Sequence, residues 1–149
     1  MGKFPLLSMN DITFREATLA DSPLILAWRN DPVSRQFSFD KDVIALETHE
    51  DWFNRNHRKI TMIEADHKTV GQLRMDDNQD LVEVSITIDP SMRSRGIGSS
   101  AIKSISHEKK LVAHILPINI PSIIAFLKGG FRFVSIELVK GFRCYRMER

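Results

Sequence analysis

Residues 82–100, VEVSITIDPSMRSRGIGSS, decide how the chain is read. Val82, Val84, Ile86 and Ile88 alternate with Glu83, Ser85 and Thr87, which predicts a strand with one apolar and one polar face. Asp89-Pro90 ends it, because proline has no N–H to give to a ladder. Arg93, Ser94, Arg95, Gly96, Ile97 and Gly98 form a basic glycine turn, and residues 99–110 read on as a helix that opens with Ser99. A strand, a glycine turn and a helix together cradle a phosphate. The glycines let the backbone approach an anion, N–H groups point at it, and the helix start adds partial positive charge. Two arginines add charge-assisted hydrogen bonds, and a side chain at Gly96 or Gly98 is expected to intrude on the anion. The turn is neither a Walker nor a Rossmann fingerprint: no Gly-Lys-Ser/Thr follows, and the third glycine is missing. The alternative is a solvated turn that happens to hold two glycines.

Outward from this stretch, the remaining segments alternate between strand and helix. Residues 11–16 alternate as a first strand. Residues 18–21 give a helix entry, Pro23 sits where a first-turn proline is tolerated, and residues 24–28 are an apolar helix stopped by Asn30-Asp31-Pro32. A second short helical piece with Val33 and Phe37 follows. Residues 48–56 form a helix opened by a Thr48 cap. Residues 59–65 and 69–75 are strands joined by a turn at 66–68, and 76–80 is a polar turn. Residues 111–116 form a strand ended by Pro117, and 119–128 a helix with Ile120, Ile123, Ile124 and Leu127 at helical spacing, closed by Gly129-Gly130. Residues 131–139 and 142–147 close the chain as an antiparallel pair. Residues 1–10 read as a flexible N-terminal tail, and 11–149 as a single domain.

Composition narrows the class. At 149 residues the chain is long enough for a real hydrophobic core. Its 21 basic and 19 acidic residues are too balanced to argue for nucleic acid. A single cysteine, Cys144, rules out an internal disulfide and suits a reducing cytoplasm. No apolar run approaches a membrane span, and no signal peptide is visible. The histidines share no metal-ligand spacing, so no metal is expected.

Arg93-x-x-Gly96-x-Gly98 directly after a long amphipathic strand resembles the pyrophosphate-binding motif of the GNAT superfamily of N-acetyltransferases, which hold acetyl-coenzyme A there. A second constellation, residues 119–131, NIPSIIAFLKGGF, is similar to the family's pattern through Asn119, Ser122, Phe126, Gly130 and Phe131. The resemblance implies an α/β (α+β) GNAT fold: a mixed, mostly antiparallel central sheet flanked by helices, with a cofactor cleft beside the fourth strand. It implies acetyl-CoA as cofactor, bound by 86–88, 93–99, Asn119, Ser122 and Phe126, with an oxyanion donor near Thr87 and Ile88. Many members carry tyrosine where this chain has Phe126, and phenylalanine cannot donate a proton to the leaving thiolate. Tyr145, Ser122 or water is left to do so.

The acceptor amine must lose a proton before it attacks. Glu83 on the polar face of the central strand is the first candidate base, unless it is only a solvent-facing carboxylate. His49 is the second, because imidazole titrates near neutrality. Acceptor identity belongs to the N-terminal half, where Trp28-Arg29-Asn30-Asp31-Pro32, Arg35, His49 and Trp52-Phe53, with Gly71-Gln72-Leu73-Arg74 later, resemble the ribosomal-protein-acetyltransferase-like branch. More narrowly they resemble the enzymes that acetylate nucleotide-linked 4-amino sugars in pseudaminic acid-type pathways. That resemblance implies a small-molecule amine acceptor held by Arg29, Asn30, Arg35, Trp52 and Arg74, and a homodimer is common in the family. The arginines would pair a diphosphate, and a tryptophan would stack on a base or sugar; equally, Trp28 reads as a core anchor. Two other functions fit the same motifs: acetylation of a protein N-terminus, or a non-catalytic domain that binds acetyl-CoA.

Overall fold

The computed structural model describes residues 11–149, and the expected tail over residues 1–10 lies outside them. Seven strands form one sheet: β1 (Ile12–Glu16), β2 (Ile60–Ala65), β3 (Lys68–Asp77), β4 (Leu81–Ile88), β5 (Lys110–Ile115), β6 (Arg132–Val139) and β7 (Phe142–Glu148). Their order is β1-β2-β3-β4-β5-β7-β6. Every neighbouring pair is antiparallel except β4 and β5. Parallel neighbours need a crossover, which α4 (Ile97–Lys103) supplies; α1 (Ser22–Asn30), α2 (Pro32–Gln36) and α3 (Leu46–Asn56) precede the main run of strands, and α5 (Ile120–Lys128) follows β5. This is the mixed, mostly antiparallel α/β sheet that the motifs imply.

Two cores lie on opposite faces of the sheet. Val82 and Val84 of β4, Leu111, Ala113 and Ile115 of β5, and Met147 of β7 pack with Ile97, Ala101 and Ile102 of α4 and Phe126 of α5. Ile60 and Met62 of β2 belong to the second core, with Ile25 and Trp28 of α1 and Phe53 of α3. Met62 and its neighbour Ile63 divide between the two clusters, as alternate residues of a strand must. The turn expected at 66–68 is a tight two-residue hairpin: Ala65 pairs with Lys68, and Asp66 and His67 both take positive φ.

Two helix boundaries differ from expectation. The helix read over 99–110 spans only Ile97–Lys103. Ser104 folds its hydroxyl onto the Ala101 carbonyl, and the Arg149 guanidinium takes the carbonyls of Ile102 and Ile105, which ends the helix from outside. The helix expected to open on a Thr48 cap instead starts at Leu46, with Ala45 at its N-cap and no side-chain cap bond. The preceding residue is already fixed by Asn30, whose side chain accepts from the Ile44 N–H and donates to the Ile44 carbonyl.

Candidate active site

β4 and β5 run side by side for only three residue pairs, the last being Glu83 with Val112. Beyond that point they part, β4 continuing to Ile88 and β5 to Ile115. β3 pairs with the other edge of β4 to its end. Among the described residues, the edge of β4 facing β5 therefore has no strand beside it from Val84 to Ile88, and its amides open into a cleft. Ile86, Thr87 and Ile88 form one wall. Gly71 is needed behind them: a Cβ there would sit 2.7 Å from the Thr87 carbonyl and 2.9 Å from Ile88 Cδ1.

At the end of β4, Asp89 turns the chain. Its Oδ1 accepts from the Ser91 N–H at 2.8 Å, and its Oδ2 from the Trp28 indole at 3.2 Å. A 3-10 turn, Pro90–Met92, leads to Ser94 and Gly96, both in the left-handed region. Gly96 (φ 79°) is the N-cap of α4, a conformation that glycine adopts without the steric cost of a Cβ. The first-turn amides of Ile97, Gly98 and Ser99 have no acceptor inside the helix, which makes them donors for an anion. At Gly98 the expectation needs correction. Its missing Cβ would point inward, 3.6 Å from Ala125 Cβ and 3.8 Å from Ile86 Cδ1. An added Cβ there makes ordinary van der Waals contact with α5 and β4, and a bulkier side chain presses on them.

Arg93 also differs from the expected phosphate grip. Its Nη2 donates to Asp31 Oδ2 at 3.1 Å and to Ser34 Oγ at 2.9 Å, while Asp31 caps α2 by accepting from the Ser34 N–H. It clamps the glycine turn to α2. Arg95 is half-buried. Asn119 caps α5 by accepting from the Ser122 N–H at 3.3 Å. Phe126 is 2% exposed and meets Phe131 edge-on, with ring centroids 4.9 Å apart. It is a core residue. Ser99, Ser100, Lys103 and Lys128 line a shallow polar depression across α4 and α5.

The three catalytic candidates are not brought together. Glu83 lies on the sheet face opposite the main core, because its neighbours Val82 and Val84 are in that core. Tyr145 pairs with the core residue Ile115 and packs edge-on against Phe133, so it faces the other side. His49 is wholly buried between α1 and α3, stacked on Phe53. Its Nε2–H donates to the Ser22 carbonyl at 3.1 Å. Burial, and then the Arg29 charge, push its pKa below the ordinary value. A histidine sealed into a core serves packing, so His49 is withdrawn as a base. Glu83 has a partner that spacing did not reveal: His114 of β5, whose Nδ1 is 3.0 Å from Glu83 Oε1 and whose Nε2 is 3.0 Å from Glu137 Oε2. The one local signal was a polar residue at the outward position of the apolar strand LVAHIL.

On the same face, Arg74 pairs across β3 and β4 with Ser85, two residues from Glu83. Its guanidinium lies 5.5 Å from the Trp52 ring centroid, and that of Arg29 lies 4.8 Å from it. Arg74 also donates to Asp76 at 2.8 Å. Burial and the nearby Arg74 both act against the charge on Arg29. Asn30 and Arg35, expected to hold the acceptor, are used by the protein itself: Asn30 grips Ile44, and Arg35 donates to the carbonyls of Asn30 and Lys41. Trp28 is 2% exposed, the core anchor of the alternative reading. No group of three His, Cys, Asp or Glu side chains among the described residues is placed to hold a metal, and no described helix is long and apolar enough to cross a membrane.

The family model for the acetyltransferase (GNAT) domain matches residues 11–132. Solved structures agree in fold. A GNAT-family acetyltransferase from Bacillus anthracis superposes with a TM-score of 0.80 at 16% identity, over 93% of this chain and 94% of that one. The spermidine N-acetyltransferase of Vibrio cholerae, solved with CoA and spermine, gives 0.80 at 17% identity over 94% and 95%. The ribosomal-protein-alanine N-acetyltransferase of Brucella melitensis gives 0.71 at 20% identity over 92% and 98%. At such identities the likeness speaks for the fold alone. No curated protein matches the sequence.

Proposed function

The chain belongs to the GNAT acetyltransferase family, and from that premise we propose that this acetyl-CoA-dependent N-acetyltransferase acts on the primary amine of an amino-sugar nucleotide. The cleft suits the cofactor. The positive φ at Gly96 and the free first-turn amides of α4 suit a pyrophosphate, and the unpaired edge of β4 suits the pantetheine amides. Lys103 and Lys128, with the serines between them, offer charge for a further phosphate. Bound there, acetyl-CoA supplies an activated acetyl thioester.

The chain's own residues are assigned as follows. Glu83, at the fork of β4 and β5, takes the proton that the acceptor ammonium loses, directly or through a water. With acetyl-CoA bound, the neutral nitrogen would bond to the acetyl carbon as the carbon–sulfur bond breaks, and its second proton would pass to water. A backbone N–H of the open edge near Thr87 and Ile88 steadies the charge on the carbonyl oxygen. Phe126 has no hydroxyl and Tyr145 faces the other side of the sheet, so Ser122 or water is assigned the return of a proton to the leaving sulfur.

The observation that carries the acceptor is the pair of guanidiniums around Trp52. Among the described residues Arg29 makes no close ion pair, and only the more distant charge of Asp40 offsets Arg74, so an anion between the two arginines would relieve like-charge repulsion, and the indole offers a stacking face. A diphosphate bearing a base and an amino sugar has both features. The test is thiol release from acetyl-CoA with 4-amino-sugar nucleotides, polyamines, aminoglycosides and short peptides as acceptors. Turnover confined to the sugar nucleotides is expected. Turnover on peptides alone would move the function to protein acetylation, and binding of acetyl-CoA with no turnover on any acceptor would favour a non-catalytic role.

A further inference from the structure

A carboxylate that serves as a base on a strand needs something to fix its rotamer, because a glutamate with 42% of its side chain exposed is otherwise free to turn. Glu83 has such a support. His114 stands on β5 two residues past Val112, the last residue paired with β4, and so faces Glu83 across the opening of the fork. Its side chain is only 13% exposed. Each ring nitrogen lies 3.0 Å from a carboxylate oxygen, of Glu83 on one side and Glu137 on the other. The ring is held between the two carboxylates, and it cannot rotate without carrying a nitrogen away from one of them. Glu137 is held in turn by Arg146 Nη1 at 3.3 Å; Arg146 Nε donates to Glu148 at 2.8 Å, and Lys110 reaches Glu148 at 3.0 Å. The hydrogen bond from His114, more than the charge of Arg146, holds the Glu137 carboxyl below its usual range. One line of paired polar side chains therefore runs from the fork across β5 and β7 to β6, ending on the carboxylate at the cleft.

We propose that His114 is a positioning residue for the Glu83 base, anchored by Glu137 and Arg146, and that this line sets the direction in which Glu83 presents its free oxygen to the acceptor amine. The inference rests on the assignment of Glu83 as the base. Substitution of His114 then affects the chemical step and not the binding of either substrate.

The test compares His114→Phe, His114→Gln, Glu137→Gln and Glu83→Gln, with kcat and KM measured separately and folding followed by thermal melts. His114→Phe is expected to lower kcat by about tenfold to a hundredfold, the scale of a misplaced catalytic group, with KM for acetyl-CoA unchanged. His114→Gln keeps one donor toward Glu83 and recovers part of the rate. Glu137→Gln, half-exposed and two contacts from Glu83, gives a smaller loss of kcat and serves where His114→Phe folds poorly. In the Glu83→Gln background, His114→Phe adds no further loss. A full-rate His114→Phe beside a slow Glu83→Gln overturns this inference alone, as does a multiplicative loss in the double variant. A full-rate Glu83→Gln overturns the base assignment and this inference with it.

Discussion

The two faces of the sheet are held together by different means. On the α4/α5 face, the end of α5 packs onto a side chain of α4 so closely that only glycine fits: a Cβ at Gly129 would lie 2.4 Å from Ile102 Cγ2. On the α1/α3 face side chains make the long-range bonds, Trp28 to the Asp89 side chain, Arg93 to the Asp31 side chain and Asn30 to the Ile44 backbone. The first face is broken by adding atoms and the second by removing them. The proposed cofactor side thus depends on packing that leaves no room for an added side chain, and the proposed acceptor side on long-range bonds made by side chains.

The largest effect is expected from removing the centre of the acceptor-side core. Phe53 is 1% exposed, and Phe53→Ala should cost about 3–5 kcal/mol in chemical denaturation. Gly71→Val makes the opposite insult, forcing β3 away from Thr87, and should cost about 1–3 kcal/mol while also weakening acetyl-CoA binding in calorimetry; unchanged affinity would separate the strand contact from the cleft. Trp28→Phe keeps most of the packing and drops the bond to Asp89, so it should cost about 1 kcal/mol and raise KM for acetyl-CoA more than for the acceptor. An effect on the acceptor alone would mean that the two faces are not joined through Asp89.

A smaller effect concerns acid. Asp21 accepts two bonds from Arg15 at 2.8 Å, and these hold its carboxyl below the ordinary range despite burial. A carboxyl with a depressed folded pKa adds stability above its unfolded value, near 4, and that stability is lost as pH falls through the lower folded value. Asp21→Asn should therefore narrow the gap from wild type as melts are taken from pH 6 down to pH 2. The smallest effect is at Trp52: replacing it with Leu should raise KM for the acceptor several-fold, about 0.5–1 kcal/mol, with acetyl-CoA binding intact.

Legibility in the sequence divides along the same line. β4, expected over 82–88, is Leu81–Ile88, and the helix expected over 119–128 is Ile120–Lys128 with Asn119 as its cap. Alternation, proline and caps are local signals, and they carried the fold and the glycine turn. The length of α4 was not legible, because it is set by Arg149, 47 residues beyond Ile102. Nor was the use of His114, whose partners lie 31 residues before it and 23 after. Arg93 and Asn30 were read as ligand-binding from their place in a pattern. Their bonds go to Asp31 and Ile44, choices that only the folded chain makes.

The two hydrogen bonds between Asn30 and Ile44 turn residues 31–43 into a closed hoop. Inside it, Arg35 reaches Lys41, and Lys41 reaches the carbonyls of Gln36 and Ser38. None of residues 31–43 is buried, so the hoop belongs to the part of the molecule that opens below the global unfolding free energy. Because Arg93 fastens its Asp31 end to the glycine turn, opening there loosens the phosphate side as well. Hydrogen exchange at the Ile44 amide reads that event directly: saturating coenzyme A should slow it, although no atom of Ile44 belongs to the cofactor cleft.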